Sequence, residues 1–187
     1  MRLLHVAKYA PIPGLRNLHP GYSSVLVKFD ALQTTHAEIE AALRAAWTSS
    51  DVPSAPEPRT VVIPALYDGP DLADVAQLHG LSVPEVIEIH ASVTYLTYFL
   101  GFAPGFAYLG EVDPRIATPR LASPRKSVPA GSIGIAGNQT GVYPISTPGG
   151  WRLIARTSVP MFRTDHWDPS LLHPGDLVRF EPVRTLP

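Results

Sequence analysis

Apolar side chains recur at helical spacing in three segments of the chain. Thr35 and Glu38, three residues apart, form a capping box in front of an amphipathic run. A second helix is predicted over residues 70–79, with acidic residues in its first turn and a glycine directly after it. A third helix begins at a capping box made by Ser82 and Glu85. The pattern therefore predicts three helices in the first half of the chain.

Alternating and β-branched runs predict strands between and after these helices. The predicted strands cover residues 24–29, 60–64, 93–100, 132–136, 151–156 and 177–182. After about Ser92 the helical spacing stops, and short strands follow one another between glycine and proline turns. This change predicts an α+β protein with two lobes: a small α/β lobe over residues 1–64, and a β-barrel lobe that opens with two helices over residues 65–187.

Composition supports a folded, proline-punctuated chain. The 187 residues are 45% hydrophobic, which is enough for a sizeable core. The 21 prolines require short elements joined by many turns. Cysteine is absent from the sequence, so disulfides, thiolate nucleophiles and cysteine zinc sites are excluded.

Two segments bear on localisation. Residues 1–10 contain only a short apolar patch interrupted by His5 and Lys8, a poor match to a signal peptide. The uncharged stretch 91–110 is interrupted by glycine and proline, so it is interpreted as a core strand followed by a loop and not as a membrane span. The expectation is a soluble, cytoplasmic protein with no membrane partner.

Charge is segregated along the chain, although the formal net charge is only −1. Residues 30–113 hold twelve acidic and two basic side chains, whereas residues 114–164 hold no acidic and seven basic ones. The seven are Arg115, Arg120, Arg125, Lys126, Arg152, Arg156 and Arg163. An uneven solvated surface would explain this pattern, and so would a cationic pocket for a carboxylate or phosphate. A pI of about 6.6 without a basic run disfavours nucleic acid as a partner.

Several familiar catalytic motifs are missing. Residues 130–134 contain Gly-Ser-Ile-Gly but lack the first glycine of a nucleophile elbow. The glycines of residues 131–141 follow neither the Walker nor the dinucleotide spacing. The seven histidines show no close ligand spacing, so no metal site is predicted.

Three groups of residues remain as candidates, each with two interpretations. His90 shares a helix face with apolar residues, so it is a core residue bonded to a backbone partner or a pocket residue. The aromatics around Pro104-Gly105 pack in the core, form the apolar wall of a site, or both. Gln139, Thr140 and Tyr143, which lie among glycines, bond to local backbone or orient a polar ligand.

The same segments resemble a known family. The matching motifs, in order, are residues 67–72, His90, and residues 102–109, 119–120, 123–125, 128–144, 148–151, 156–157 and 174–176. In this pattern the chain is similar to the family of 5-oxoprolinase B subunits, also described as allophanate hydrolase subunit 1 or Kip-type histidine kinase inhibitors. The resemblance runs from about Ile12 to the C-terminus.

The resemblance implies a cyclophilin-like β-barrel C-terminal domain and a small ferredoxin-like N-terminal domain. This N-terminal domain is expected to be truncated and to lack its first strand, because only residues 1–9 stand where family members have another strand and most of a helix. It implies an enzyme complex that opens 5-oxoproline to glutamate at the cost of ATP. Its partners would be two further subunits: one of the C type, which corresponds to allophanate hydrolase subunit 2, and one of the A type. ATP, with Mg²⁺, would be shared with these partners, and the chain alone would hold no cofactor and be inactive.

Site residues follow from the motifs and the acid-free stretch. The expected catalytic residues are Arg120, Arg125, His90, Tyr143 and Gln139, and the expected substrate-binding residues are Arg156, Phe106, Tyr108, Gly131, Ser132, Thr140 and Trp151. Arginines would bind a small anionic substrate and stabilise developing phosphoryl charge. Two alternatives stay open: a non-catalytic inhibitor of a sensor histidine kinase, and a carboxyltransferase subunit related to allophanate hydrolase or urea carboxylase.

Overall fold

The computed structural model describes His5, residues 12–48 and residues 57–186. The chain forms two compact units, Met1–Pro58 and Arg59–Pro187, which are described separately below. The predicted absence of a first strand concerns residues 1–9, which lie almost entirely outside the described residues.

Residues 12–48 of the first unit form a hairpin and a helix. Strands β1 (Leu15–Pro20) and β2 (Val25–Phe29) pair antiparallel, and helix α1 (His36–Thr48) follows. The predicted capping box is confirmed: the Thr35 N–H donates to Glu38 Oε2 at 2.8 Å, and the Glu38 N–H donates to Thr35 Oγ1 at 3.3 Å. Strand β1 was not predicted from the sequence, because its alternation is weak.

The described residues of the second unit form two further helices, nine strands and one 3-10 turn. In chain order these are β3 (Thr60–Ala65), α2 (Leu72–His79), α3 (Val83–Ser92), β4 (Tyr95–Leu100), β5 (Ala107–Gly110), the 3-10 turn Pro114–Ile116, β6 (Arg125–Val128), β7 (Ser132–Ala136), β8 (Gln139–Val142), β9 (Thr147–Gly149), β10 (Arg152–Arg156) and β11 (Leu177–Pro182). The predicted helix over residues 70–79 is confirmed within two residues at each end, and the helix predicted to begin at Ser82 is confirmed at its start.

Seven strands form one mixed sheet in the order β10-β7-β8-β5-β4-β11-β3, and β6 pairs separately with β9. The chain after β3 bends back along β10, the opposite edge of the sheet. Leu66 and Arg156 exchange two backbone hydrogen bonds, at 2.8 and 2.9 Å, and the Gly69 N–H donates to the Ile154 carbonyl at 3.2 Å. This seam makes the sheet a nearly closed barrel, so the predicted α+β class with a barrel-like C-terminal lobe is confirmed.

The seam depends on a glycine. A Cβ at Gly69 would lie 2.5 Å from the backbone carbon of Ile154 and overlap the Leu153 carbonyl oxygen. Only a residue without a side chain permits the two backbones to approach this closely.

Strand β3 belongs to the barrel. It pairs in parallel with β11, Thr60 opposite Leu177 and Ala65 opposite Pro182. The sequence pattern assigned residues 60–64 to the first lobe, because this predicted strand directly follows the helix of that lobe. In the structure this strand opens the second unit, which begins at Arg59.

No helix in the described part of the chain is both long and apolar enough to cross a membrane.

Candidate functional site

Five aromatic side chains surround a small cavity of about 80 Å³ in the second unit. We call this cavity the aromatic pocket. Its lining residues are Phe102, Phe106, Tyr108, Arg120, Tyr143, Gly149, Gly150 and Trp151. The residues come from the β4–β5 loop, from β5, and from the segments before β6 and around β9.

Phe106 is the centre of the aromatic pocket. Its ring centroid lies 4.9 Å from that of Tyr108 and 5.3 Å from those of both Tyr143 and Trp151. All three contacts are edge-to-face, the arrangement that aromatic quadrupoles favour. Because Phe106 is 1% exposed, the pocket has a packed apolar floor.

A tight loop presents Phe102 at the rim of the pocket. The Gly101 N–H donates to the Phe106 carbonyl at 3.1 Å, and the Phe106 N–H donates to the Ala103 carbonyl at 3.0 Å. Within this loop Phe102 has a φ of +70°, which is costly for a bulky L-residue, and its side chain is 62% exposed. The sequence indicated an aromatic loop here, but Phe102 was not among the expected site residues.

Gly149 makes room for the Tyr143 hydroxyl. A Cβ at Gly149 would overlap that hydroxyl and lie 2.9 Å from two carbons of the Tyr143 ring. Gly149 and Gly150 were also missing from the expected site, although their position directly before Trp151 was a usable signal.

The two phenols of the pocket are held in their neutral form. Burial raises the pKa of Tyr108, and the nearby positive charge of Arg120 opposes this only in part. Burial likewise raises the pKa of Tyr143, against the backbone N–H of Trp151 and the charge of Arg120. Both hydroxyls therefore stay protonated at neutral pH and can donate to a ligand oxygen.

The acid-free stretch is neutralised in the fold by acids, most of them from other parts of the chain. Five of its seven basic side chains form ion pairs: Arg115–Asp113, Arg125–Asp71, Arg152–Asp74, Arg156–Asp68 and Arg163–Asp165. Among the residues that the structure describes, Arg120 and Lys126 are the two of the seven that lack an ion pair. The stretch as a whole is therefore not a cationic surface.

Of the three arginines expected to bind anions, the structure brings only Arg120 to the lining of the aromatic pocket. Arg125 is bound to the buried Asp71 at 2.6 Å. Arg156 forms an exposed pair with Asp68 at 2.9 Å. Arg120 is thus the guanidinium that a carboxylate in the pocket can reach.

His90 and Thr140 lie in the barrel core, not in the pocket. Both are 0% exposed. Thr140 donates its hydroxyl hydrogen to the Gly134 carbonyl at 3.0 Å, so it accepts from His90 Nε2–H at 3.0 Å. Burial lowers the pKa of His90 to about 3, so the imidazole is neutral at physiological pH. His90, which was expected to be catalytic, therefore does not line the pocket in this structure.

The other expected residues also lie outside the pocket. Gly131 and Ser132 are at the start of β7, where the Gly131 N–H donates to the Tyr143 carbonyl at 2.7 Å and supports the tyrosine from behind. Gln139 is the first residue of β8 and lies opposite Gly110 and Ala136. The residues that the structure assembles are therefore Arg120, Phe106, Tyr108, Tyr143 and Trp151.

The residues present do not fit a resident metal or nucleotide. The described residues contain no group of three His, Asp or Glu side chains arranged for a metal ion. A triphosphate needs several cations or a loop of backbone N–H groups with the Walker spacing. Residues 114–164 offer two unpaired cations in the described structure and no such spacing, so this stretch by itself does not fit ATP.

Comparison with known proteins decides the family. A family model described as carboxyltransferase domain, subdomain C and D, matches residues 1–172. The chain belongs to this family. The expectation drawn from the sequence motifs is thereby confirmed.

Two curated relatives in the carboxyltransferase-domain family are named as the B subunit of 5-oxoprolinase. The protein from Escherichia coli O157:H7 is 45% identical over 176 residues, which cover 92% of this chain and 80% of that protein. The protein from Bacillus subtilis (strain 168) is 52% identical over 125 residues, which cover 65% of this chain and 52% of that protein. The chain thus spans four fifths of one relative and aligns with about half of the other.

Solved structures share the fold. TTHA0988 matches with a TM-score of 0.84 at 37% identity, over 98% of this chain and 36% of that one. The uncharacterized protein PH0987 from Pyrococcus horikoshii matches with a TM-score of 0.65 at 46% identity, over 95% of this chain and 82% of that one. The Kluyveromyces lactis urea carboxylase, at 21% identity and a TM-score of 0.73 over 97% of this chain and 19% of that one, shows the fold alone.

Proposed function

We propose that the chain is a subunit of an ATP-dependent 5-oxoprolinase complex that converts 5-oxo-L-proline to L-glutamate. Further subunits, one of the A type and one of the C type, would be its partners. The names of the relatives from Escherichia coli and Bacillus subtilis support this complex. The observation that carries the proposal is the aromatic pocket with one unpaired guanidinium, that of Arg120.

The pocket matches the chemistry of this substrate. 5-Oxoproline is a five-membered lactam that carries one carboxylate. Arg120 would bind the carboxylate through two parallel N–H donors, the preferred geometry of guanidinium–carboxylate pairs. The ring methylenes would pack on Phe106 and Trp151, which together shield them from water.

The phenols give the pocket a means of polarising the lactam. In ring opening, a water oxygen bonds to the lactam carbonyl carbon and the ring C–N bond breaks. The water gives up a proton, and the leaving nitrogen takes up a proton. Negative charge then develops on the carbonyl oxygen. A hydrogen bond from the neutral hydroxyl of Tyr108 or Tyr143 would stabilise that oxygen.

No step through ATP is assigned to this chain, because its residues do not fit the nucleotide. The partner chains would supply that site, and this chain would bind and orient the lactam. The chain in isolation is therefore expected to be inactive.

The test is steady-state kinetics of glutamate formation by the reconstituted complex. Arg120→Ala should raise KM for 5-oxoproline about 10- to 100-fold, because a charge-assisted hydrogen-bonded pair contributes roughly 1.5–3 kcal/mol. Lys126→Ala is the matched control, since Lys126 is the other unpaired cation of the stretch and does not line the pocket.

Equal kinetic constants for wild type and Arg120→Ala would show that Arg120 does not bind the substrate. A complex that hydrolyses allophanate and not 5-oxoproline would favour the carboxyltransferase alternative. Isolation of the chain with a histidine kinase alone would favour the regulatory one.

A further inference from the structure

Asp71 stands at the N-cap of α2 but does not cap it. An aspartate at this position usually accepts a hydrogen bond from an N–H group in the first turn of the helix. The Asp71 side chain makes no such bond. Its carboxylate binds other groups instead, so α2 lacks the side-chain cap that is usual at this position.

The carboxylate binds two residues that lie next to the wall of the aromatic pocket. Asp71 Oδ1 accepts from Arg125 Nη2 at 2.6 Å, and Oδ2 accepts from the Leu153 N–H at 2.7 Å. The Asp71 N–H also donates to the Leu153 carbonyl at 2.9 Å. Since Asp71 is 4% exposed, both carboxylate bonds are shielded from water and hold their geometry.

Arg125 transmits this anchoring to the pocket. It is the first residue of β6, opposite Gly149 of β9, and its Nη1 reaches the Trp151 carbonyl at 3.4 Å. The Leu121 N–H donates to the Gly150 carbonyl at 2.7 Å. The pocket wall formed by residues 149–151 is therefore held from the β6 side, while Leu153, two residues further on, is held by Asp71.

The same carboxylate sets the charge of the site. By pairing with Arg125, Asp71 removes one guanidinium as a competing anion ligand. Arg120 then remains as the unpaired cation that lines the pocket among the described residues.

We propose that Asp71 is a positioning residue of the aromatic pocket, which fixes the Trp151 wall through Arg125 and Leu153 and leaves Arg120 to bind the substrate carboxylate. The role in catalysis rests on the proposed function. The anchoring of Trp151 does not.

The first arm measures kinetics and thermal stability in the reconstituted complex. Asp71→Asn should raise KM for 5-oxoproline about tenfold with kcat within about twofold, because substrate and wall lose their alignment. It should also lower Tm, because Arg125 is left half-buried and unpaired. Asp68→Asn is the matched control: it removes the exposed Arg156 pair from the same segment and should change neither constant.

A double variant separates positioning from simple stability. Asp71→Asn/Arg125→Met removes both charges, and exchange of a buried pair for neutral groups often restores stability. We expect Tm to recover while KM stays raised, because Arg125→Met removes the hydrogen bond to the Trp151 carbonyl. A KM that recovers together with Tm would overturn the proposal.

The second arm needs no activity. In the full chain carrying Trp47→Phe and Trp167→Phe, Trp151 is the remaining tryptophan of three. Acrylamide quenching of its fluorescence should increase several-fold in Asp71→Asn and in the double variant, but not in Asp68→Asn. Unchanged quenching would overturn the anchoring role, whereas an inactive complex with increased quenching would contradict only the proposed function.

Discussion

The imidazole Nδ1 of His90 accepts a hydrogen bond from the Tyr67 hydroxyl at 2.7 Å, which joins α3 to the seam that closes the barrel. With Nε2–H bound to Thr140, the ring has a single tautomer and no free nitrogen. The His90 ring also stacks on Phe180 of β11, with centroids 4.9 Å apart. The histidine thus links α3 to its neighbours through hydrogen bonds inside an apolar core.

The buried neutral imidazole of His90 predicts a loss of stability in mild acid. The folded pKa of about 3 lies below the ordinary value of 6.5, so between these values the unfolded chain binds a proton that the folded chain does not. The stability that the neutral His90 contributes is fully present above pH 6.5. It decreases as pH falls, by about 1.4 kcal/mol per pH unit well between pH 6.5 and 3. Urea unfolding at pH 7.5, 6.0 and 5.0 measures the slope.

His90→Gln is the matched variant, because it keeps polar groups but cannot bind a proton. Its free energy of unfolding should be lower than that of wild type at pH 7.5, and should depend less on pH between pH 6.5 and 5.0. An equal slope in both proteins would contradict the buried neutral state of His90.

The positive φ of Phe102 predicts a reversed order of two substitutions. Alanine normally stabilises a chain relative to glycine, because it reduces the freedom of the unfolded state. At a φ of +70° the order should reverse, and Phe102→Gly should be about 1 kcal/mol more stable than Phe102→Ala. Both variants lack the ring, so the difference in denaturation midpoint reports the backbone alone. Greater stability of the alanine variant would refute the strained conformation.

The contact between Gly149 and Tyr143 predicts a position-specific cost. Gly149→Ala should destabilise the protein by about 2 kcal/mol, because the new methyl group displaces a packed phenol. Gly150→Ala is the neighbouring control, since its nearest atoms would lie 3.8 Å away. Chemical denaturation of both variants measures the contrast, and similar losses would mean that the Tyr143 side chain is free to move.

Local signals in the sequence were reliable. The capping box of Ser82 and Glu85 depends on residues three apart, and the structure contains both of its hydrogen bonds. Strands β7 and β11 carry β-branched or alternating residues and were predicted with correct bounds. Strand β8 (Gln139–Val142) was missed, because its glycine and polar residues are typical of a loop until β5 and β7 pair with it.

The site was less predictable, because its charges are decided by residues far apart in the sequence. Arg125 and Asp71 are separated by 54 positions, and Arg156 and Asp68 by 88. The sequence pattern indicated an unneutralised stretch where the fold supplies partners. Four aromatic residues that were expected from the sequence, Phe106, Tyr108, Tyr143 and Trp151, line the same cavity, and their role in binding stays a prediction.

Strand β11 lies inside the sheet between β4 and β3, although both of these neighbours come before it in the sequence. During synthesis, the edges of β3 and β4 that face β11 therefore have unpaired backbone groups until residues 177–182 leave the ribosome. The barrel can close only after β11 has inserted between these two strands. A nascent chain stalled before β11 would expose two unpaired strand edges that are prone to aggregation.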